Sequence, residues 1–569
     1  MLRALTTWLY DTDPLKALAF ENPLNRLKSD LKKNHRFFED LISKHFLKNN
    51  HRTTVILKPD PDLAQKEREK ENKTLSERKL KMTKDEVNQV IENTSALQKM
   101  QSTPDTPEAL ATIPFLKLSD IDRQNQGIPF DLTEENKLKI IYHDIPTSGI
   151  FYTDIGLNLK LLPQKYLSYV PLFGRALLEM GTEKEDFVSL SQHISRQTGG
   201  IKTGQFASCI KDSKTATAWL LLRAKATLEK VPDLIKILSD ILMTARFNNK
   251  QRFKQILLQE KAKQEQQIIP GGHMIVNSRI RSHLNEPDWA MEKMNGLSYF
   301  YFLRELEKRI DTDWGMILSC LEEIRSILVN RSAMVINISA DRNKSDLKNL
   351  ILPFTERIPD KEFQTEIWSR EDLPEFEGMI IPAQVNYVGK GADLYDLGYS
   401  FHGSVHVITH FLRTTWLWEQ VRVLGGAYGA LCRFDKFSGA FSLVSYRDPN
   451  LLETLDIFDK TAQFLLNLEL DPEELIKSII GAIGEIDGYM FPDTMGLVSL
   501  QRYLNGTTDK SRQIMREQIL STQPDDFKTF AKTLENLREK SIIKVLGSEN
   551  SIRKANADRE NFLETFNVL

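Results

Sequence analysis

Cysteine is nearly absent: Cys209, Cys320 and Cys432 are the three in a chain of 569 residues. They are odd in number and far apart, which excludes a disulfide framework and a cysteine-built zinc site and fits a reducing compartment. A charge excess is missing too. Lys and Arg total 76 against 78 Asp and Glu, for a net charge of −2. That balance gives no electrostatic case for nucleic acid or an anionic membrane as partner. No apolar run is long enough to span a bilayer. The first ten residues are only briefly apolar before Asp11, Asp13 and Pro14, which argues against a signal peptide and brings acids too early for an organelle transit sequence. Catalytic signatures are lacking as well: G-x-S-x-G, HExxH and HxxEH do not occur. The pairs Gly199-Gly200 and Gly271-Gly272 do not make a P-loop. Gly199 to Gly204 reads as a hairpin turn, and His273 as a structural histidine.

What is present, 41% hydrophobic and 27% charged residues, is the composition of a soluble globular protein of several domains. Residues 31–47 have a helical pattern, and Arg52 to Lys58, rich in β-branched residues, reads as a strand closed by Pro59 and Pro61. Lys, Glu and Arg dominate from Gln65 to Lys84. After a break near Met82, Thr83-Lys84-Asp85-Glu86 has capping-box spacing, and Val87, Val90, Ile91, Thr94 and Leu97 share a helical face. This segment reads as a two-helix hairpin, or else as a solvated charged linker, ended by Pro104 and Pro107. From Ile113 the pattern is α+β. Strands are expected at 137–143, 150–161, 206–210 and 215–224, and helices at 167–180, 234–247 and 252–267. A similar order follows: strands at 383–388, 426–432 and 440–446, and helices at 404–423, 454–468 and 472–490. Two α+β units in tandem are the simplest account.

Two constellations could carry chemistry. His406-Val407-Ile408-Thr409-His410, with His402 before it, has the i, i+4 spacing of zinc-binding helices. Val407, however, stands where a general base belongs, and no third ligand is apparent, so packing or surface roles compete with metal binding. The other is Arg422 to Gly429 (Arg-Val-Leu-Gly-Gly-Ala-Tyr-Gly) with Ser445 to Asn450 (Ser-Tyr-Arg-Asp-Pro-Asn). Gly425 and Gly426 suit a helix end whose backbone bends sharply and admits close approach, and they are candidate substrate-contact positions. Arg422 could hold a peptide carbonyl or carboxylate, and Tyr428 could donate to a carbonyl or developing oxyanion. Equally, Arg422 could cap the helix and Tyr428 simply pack. The pair can hold a peptide; it cannot cut one.

Those residues, with Ile113 to Ile121 and Phe491 to Tyr503, resemble the carboxy-terminal half of the presequence-protease family. That family belongs to the pitrilysin and insulinase group of zinc metallopeptidases (peptidase family M16, subfamily C). The resemblance covers essentially the whole chain. It implies tandem M16-type α+β domains, antiparallel sheets covered by helices, after a helical hairpin. Residues 1–58 would complete a second domain, 59–112 would form the hairpin, 113–355 a third domain without a zinc motif, and 356–569 a fourth. It implies an enzyme that degrades short unfolded peptides in a closed chamber, with zinc held by an amino-terminal half through HxxEH and a downstream Glu. That half, on the same or a separate chain, and the peptides would be the partners. Arg422 and Tyr428 would bind substrate near the scissile bond. This chain would hold no metal: the helix Leu172 to Ala176, which resembles the place of the zinc motif, has no His. The compartment would be bacterial cytoplasm or an organelle matrix or stroma. A non-catalytic peptide-binding or scaffold homologue is the alternative.

Overall fold

The structure, a computed structural model, describes all residues except 1, 59, 61, 104, 214, 342, 343 and 372, and leaves out the side chains of 3, 64, 102, 107, 110 and 344–348. The chain divides into two compact units, Met1–Pro114 and Phe115–Leu569.

The first unit is helical. The helix expected over 31–47 is interrupted: Glu21–Lys33 and Phe37–Ile42 are separate helices, followed by a wide turn at Ser43–Leu47. Asn34 makes the break. Its side chain accepts from the Arg36 amide (2.9 Å) and donates to Asp40 (2.8 Å), a local alternative to helical bonding. The expected strand over Arg52 to Lys58 does not form. A strand needs a ladder partner, and this segment has none among the described residues; Leu57 is 93% exposed. The helices Leu63–Lys81 and Lys84–Ser102 follow, with Met82 extended between them. Thr83 and Glu86 close the capping box: the Glu86 amide donates to Thr83 Oγ1 (3.3 Å), and the Thr83 amide to Glu86 Oε2 (2.7 Å). The expected breaks at Pro59, Pro61 and Pro104 lie outside the described residues.

Among the described residues, the second unit contains two six-stranded sheets. The first is built from β1 (Asp131–Glu135), β2 (Leu138–Asp144), β3 (Ile150–Asn158), β4 (Ile201–Cys209), β5 (Ala216–Thr227) and β6 (Met334–Ala340), in the order β1-β2-β6-β3-β5-β4. The second uses β7 (Phe376–Ile380), β8 (Tyr387–Asp393), β9 (Gly429–Phe434), β10 (Ala440–Tyr446), β11 (Ile542–Gly547) and β12 (Glu564–Asn567), in the order β12-β7-β11-β8-β10-β9. Five strands correspond: β2-β6-β3-β5-β4 matches β7-β11-β8-β10-β9. Both sets have one parallel pair, β2 with β6 and β7 with β11, in otherwise antiparallel surroundings. The sixth strand differs: β1 joins antiparallel and β12 parallel.

Alternation explains how the sheets are covered. In β5, Ala218, Leu220, Leu222 and Ala224 enter the large core under the helices, while Leu221 faces Ile141, Val335 and Leu500 on the opposite side. Leu500 lies on the helix Pro492–Leu504, which follows the second sheet's hairpin in sequence. The exchange is reciprocal. Helix Gly272–Leu284 precedes β6 yet packs on the second sheet, where Val276 and Ile280 meet Tyr387, Val444 and Leu546. Gly389 and Gly391 of β8 permit this: a Cβ on Gly391 would sit 2.7 Å from Ile280 Cγ2. Gly199 to Gly204 does not form the expected hairpin turn. Gly200, at φ +106°, turns the chain out of helix Phe187–Gln197, and Ile201 to Gly204 already belong to β4. The turn of that hairpin is at 210–215.

A buried ionic network pins the exchanged helix. Arg279 makes two bonds to Glu377 on β7, from Nε and Nη2, both 2.8 Å. Lys544 on β11 reaches the same carboxylate at 2.9 Å, and Glu292 reaches Arg279 at 3.3 Å. The four side chains are almost wholly buried. Burial lowers the Lys544 pKa to about 8 against the pull of Glu377. Burial alone would raise Glu377; Arg279 and Lys544 hold it below the usual carboxylate value. Nearby, burial and Lys544 lower His283 to about 4, helped by Arg279 and Arg370 and opposed by Glu377.

Two outcomes follow for stability. Glu377→Gln leaves two buried cations with Glu292 as their one remaining carboxylate and should cost about 3–5 kcal/mol; a urea-midpoint loss worth under about 1 kcal/mol would show that the network does not hold the lobes. The second concerns acid. The folded pKa of His283 lies below its unfolded value of about 6.5, so between about 4 and 6.5 the unfolded chain binds the proton and the folded one does not. Stability therefore rises with pH in that window. Going from pH 7 to 5 should cost about 1 kcal/mol, after discounting for a half-buried ring. His283→Gln should flatten this slope, and an unchanged slope would place the titration elsewhere.

Candidate peptide-binding site

Helix Ser404–Thr414 ends at Thr415, whose backbone leaves the helical region (φ −120°, ψ −85°). The single helix expected over 404–423 is thus two pieces, the second a wide turn, Trp418–Leu424. Its bonds overreach the α-helical spacing: the Gly425 amide donates to Gln420 O (3.0 Å) and the Ala427 amide to Val421 O (3.1 Å). Gly425 keeps a right-handed backbone (φ −80°), and Gly426 takes the left-handed one (φ +77°). The chain then enters β9 one residue after Tyr428.

The segment Ser445 to Asn450 fastens this bend. Asn450 Nδ2 donates to Gly425 O at 2.6 Å, and the Tyr428 amide donates to Tyr446 O at 3.0 Å. Asp448 is fully buried. Its backbone exchanges two bonds with Asn386 (2.7 and 2.8 Å), while its carboxylate accepts from Thr454 Oγ1 (2.7 Å) and the Asn450 amide (2.9 Å). Arg447 is left-handed (φ +50°) to make the turn. The two sequence segments therefore form one structural piece.

Arg422 lies flat on Trp418, its guanidinium carbon 3.8 Å from the ring centroid, and 5.9 Å from the Tyr428 ring. Among the described residues no carboxylate pairs with it. Tyr428 is 65% exposed and stands edge-on to Tyr446, with centroids 5.4 Å apart. Tyr446 in turn meets His273 edge-on at 4.7 Å. His273 is the second residue of helix Gly272–Leu284, and its Nδ1 is buried without a hydrogen-bond partner. Burial, with Arg433, lowers its pKa. The sequence carries no sign of this contact, because 173 positions separate His273 from Tyr446 and only the exchanged helix brings them together. The result is a stacked, oriented cation beside an exposed phenol. Such a pair can bind a peptide carbonyl or carboxylate, but it includes no nucleophile or general base.

The three histidines do not converge. His402 Nδ1 bonds Ser404 Oγ (2.8 Å), His410 Nδ1 faces Glu485 (3.1 Å), and His406 packs on Phe401, its Nε2 buried without a partner. Among the described residues no three His, Cys, Asp or Glu side chains are grouped to hold a metal. Leu172, Phe173 and Ala176 are core residues. The cysteines are unpaired, and burial raises the Cys209 thiol to about 12. Among the described residues no helix is long and apolar enough to cross a membrane.

Comparison with known proteins agrees with this architecture. The family model for the associated domain of peptidase family M16, subfamily C, matches residues 57–306, and the PreP C-terminal domain matches residues 376–549. Presequence protease 1, chloroplastic/mitochondrial, of Arabidopsis thaliana is 39% identical over 100% of this chain and 53% of its own length. Protein HypA of Clostridium perfringens is 31% identical over 99% of this chain and 58% of its own. The chain thus spans about half the length of the curated relatives it matches. Among solved structures, a peptidase M16 inactive domain from Pseudomonas fluorescens superposes with a TM-score of 0.54 at 15% identity, over 74% of this chain and 98% of that one. A conserved protein from Enterococcus faecalis gives 0.55 at 14% identity, over 74% and 99%. At these identities they speak for the fold alone, whereas the two sequence matches carry the assignment: the chain belongs to subfamily C of the M16 peptidases and corresponds to the carboxy-terminal half of a presequence protease.

Proposed function

We propose that this chain works as one half of a zinc metalloendopeptidase that degrades short unfolded peptides, and that Arg422 and Tyr428 hold the substrate. The observation that carries this reading is the Arg422 guanidinium: stacked on Trp418, oriented, yet without a carboxylate partner among the described residues. A structural arginine at a helix end would be expected to bond the terminal carbonyls. The carbonyls of Gln420, Val421 and Arg422 are instead taken by backbone amides, and that of Gly425 by Asn450. Arg422 would bind a substrate carbonyl and Tyr428 would donate its hydroxyl proton to a second oxygen, fixing the peptide backbone in one register. Gly425 and Gly426 would let that backbone come close.

Among the described residues no three His, Cys, Asp or Glu side chains are grouped to hold zinc, and on this reading the metal and the cleavage step belong to an amino-terminal half, on the same or another chain. The first unit supports such a partner. Its helices Glu21–Lys33 and Phe37–Ile42 bury no residue, and Trp8, Phe46 and Ile56 stay exposed. A natural fold seldom leaves so much apolar surface uncovered. Residues 1–58 would complete a second domain and 59–112 would link the halves. The third domain would start at 113, its core reaching past 355 to Trp368, and the fourth would follow to 569. Bacterial cytoplasm or an organelle matrix or stroma is the compartment that fits such a chain.

The chain alone should hydrolyse no peptide and bind no stoichiometric zinc; chelator-sensitive cleavage by the isolated chain would overturn the division of labour. Combined with an amino-terminal half, Arg422→Ala and Tyr428→Phe should each lower kcat/KM by about ten- to a hundredfold. Zinc content, read by atomic absorption, should not change. Zinc loss in either variant would remove both residues from the substrate-binding role.

A further inference from the structure

The bend that carries Arg422 and Tyr428 has a counterpart on the first sheet. β9 is entered through Gly425-Gly426 and the corresponding β4 through Gly199-Gly200. In each pair the second glycine is left-handed, at φ +77° and +106°. An exchanged helix begins beside each turn. His273 of Gly272–Leu284 meets Tyr446, which pairs with Gly429 of β9. Asp493 of Pro492–Leu504 accepts at its backbone carbonyl from Arg223 Nη2 (3.2 Å), and Arg223 pairs with Lys202 of β4. A cavity of about 200 Å³ opens at this second place, lined among others by both glycines, Tyr152, Lys202, Arg223 and Asp493.

Arg223 is an oriented cation with one edge left over. Its Nε donates to Asp154 (2.7 Å) and its Nη2 to the Asp493 carbonyl, while no bond leaves Nη1 among the described residues. Asp154 is fixed in turn by Asn337 Nδ2 (2.9 Å), and both side chains are buried. On β3, Tyr152 lies opposite Lys225, which also lines the cavity, and its hydroxyl has no hydrogen-bond partner among the described residues. Burial, with Asp493, raises the Tyr152 pKa and keeps the phenol a donor. Lys202 and Lys225 are exposed and have no ion pair among the described residues. With Asp154 taken by Arg223, Asp493 is the one lining carboxylate left beside these donors. An oriented guanidinium, a phenol and two ammonium groups suit a carboxylate, and Asp493 can accept an amide N–H from the same ligand. We propose that this cavity is a second peptide-holding site, in which Arg223, Tyr152 and Lys202 take a carboxylate of the peptide, from its C-terminus or from an acidic side chain. The choice of a peptide as occupant rests on the proposed reading of Arg422 and Tyr428; the donor set does not.

Calorimetric titration of the full chain tests it with three probes: a short unstructured peptide without acidic side chains, its C-terminal amide, and that amide carrying one internal glutamate. A carboxylate-bearing probe should bind about tenfold more tightly than the plain amide. The tighter of the two tells whether the carboxylate arrives at the chain end or on a side chain. Arg223→Lys, which keeps a cation for Asp154, and Tyr152→Phe should each remove most of that advantage. Lys202→Ala, at the exposed rim, should reduce it several-fold in a chain that folds as before. Arg422→Ala should weaken all three probes alike and leave the advantage intact. Unchanged affinity in that variant would overturn the peptide reading of Arg422 without touching this pocket. No binding by any probe, equal affinity for all three, or an advantage that survives in the Arg223, Tyr152 and Lys202 variants would each overturn the proposal.

Discussion

The bond between Arg279 and Glu377 is the constraint on which the rest of the second unit depends. Arg279 sits on a helix that precedes β6, and Glu377 sits on a strand of the second sheet. Two parallel bonds from a planar guanidinium to a buried carboxylate fix distance and direction at once. The exchanged helix therefore has one register on β8 and β11. Glycines 389 and 391 let it lie close enough for that register to be kept by packing as well as by charge.

The candidate peptide site inherits its geometry from this helix. His273, at its start, backs Tyr446, and Tyr446 backs Tyr428. A shift of the helix along the sheet would move His273 away from Tyr446 and leave the exposed phenol with less support. From the other side the bend is held by Asn450 and by Asp448, itself tied to Asn386 at the end of β8. Arg422 and Tyr428 are thus set by two anchors, one reaching across lobes and one local. This explains why a tight turn with a left-handed glycine can present a cation and a phenol in fixed relation although both are largely outside the core.

Alternation made several elements of the first sheet legible. β3 and β5 have one face toward the helical core, and Phe151, Ile155 and Leu157 mark it. The strands that escaped sequence reading lack that alternation. β6 and β11 are buried along their whole length because helices cover both faces, so Met334 to Ala340 and Ile542 to Gly547 have no polar face to display. Lys544 compounds the difficulty, since a lysine in a short run suggests solvent, whereas here it is fully buried against Glu377. The error over Arg52 to Lys58 is the reverse case: β-branched residues signal a willingness to pair, and pairing needs a neighbour. Arg422 and Tyr428 could be singled out because glycines and an arginine at a helix end form a local pattern. His273 could not, because its role rests on a contact that only the exchanged helix creates.

Lys544 and Lys436 show how much the partners of a lysine decide when burial lowers its pKa. Both are shifted downward by burial. Lys544 is answered twice, by Glu377 and by the carbonyl of Pro374, and its charge is part of a closed set of two cations and two anions. That arrangement accounts for its presence without any ligand. Lys436 has the Met515 sulfur at 3.6 Å and the Phe437 ring at 5.1 Å instead, and the cations Arg502 and Arg512 around it lower its pKa further. The carboxylate that opposes them in its field, Asp435, is already bonded to Arg281. Lys436 is only partly buried, so its ammonium can stay in water while its stem lies along Phe401, Phe437 and Met515, and a lowered pKa by itself does not call for a ligand.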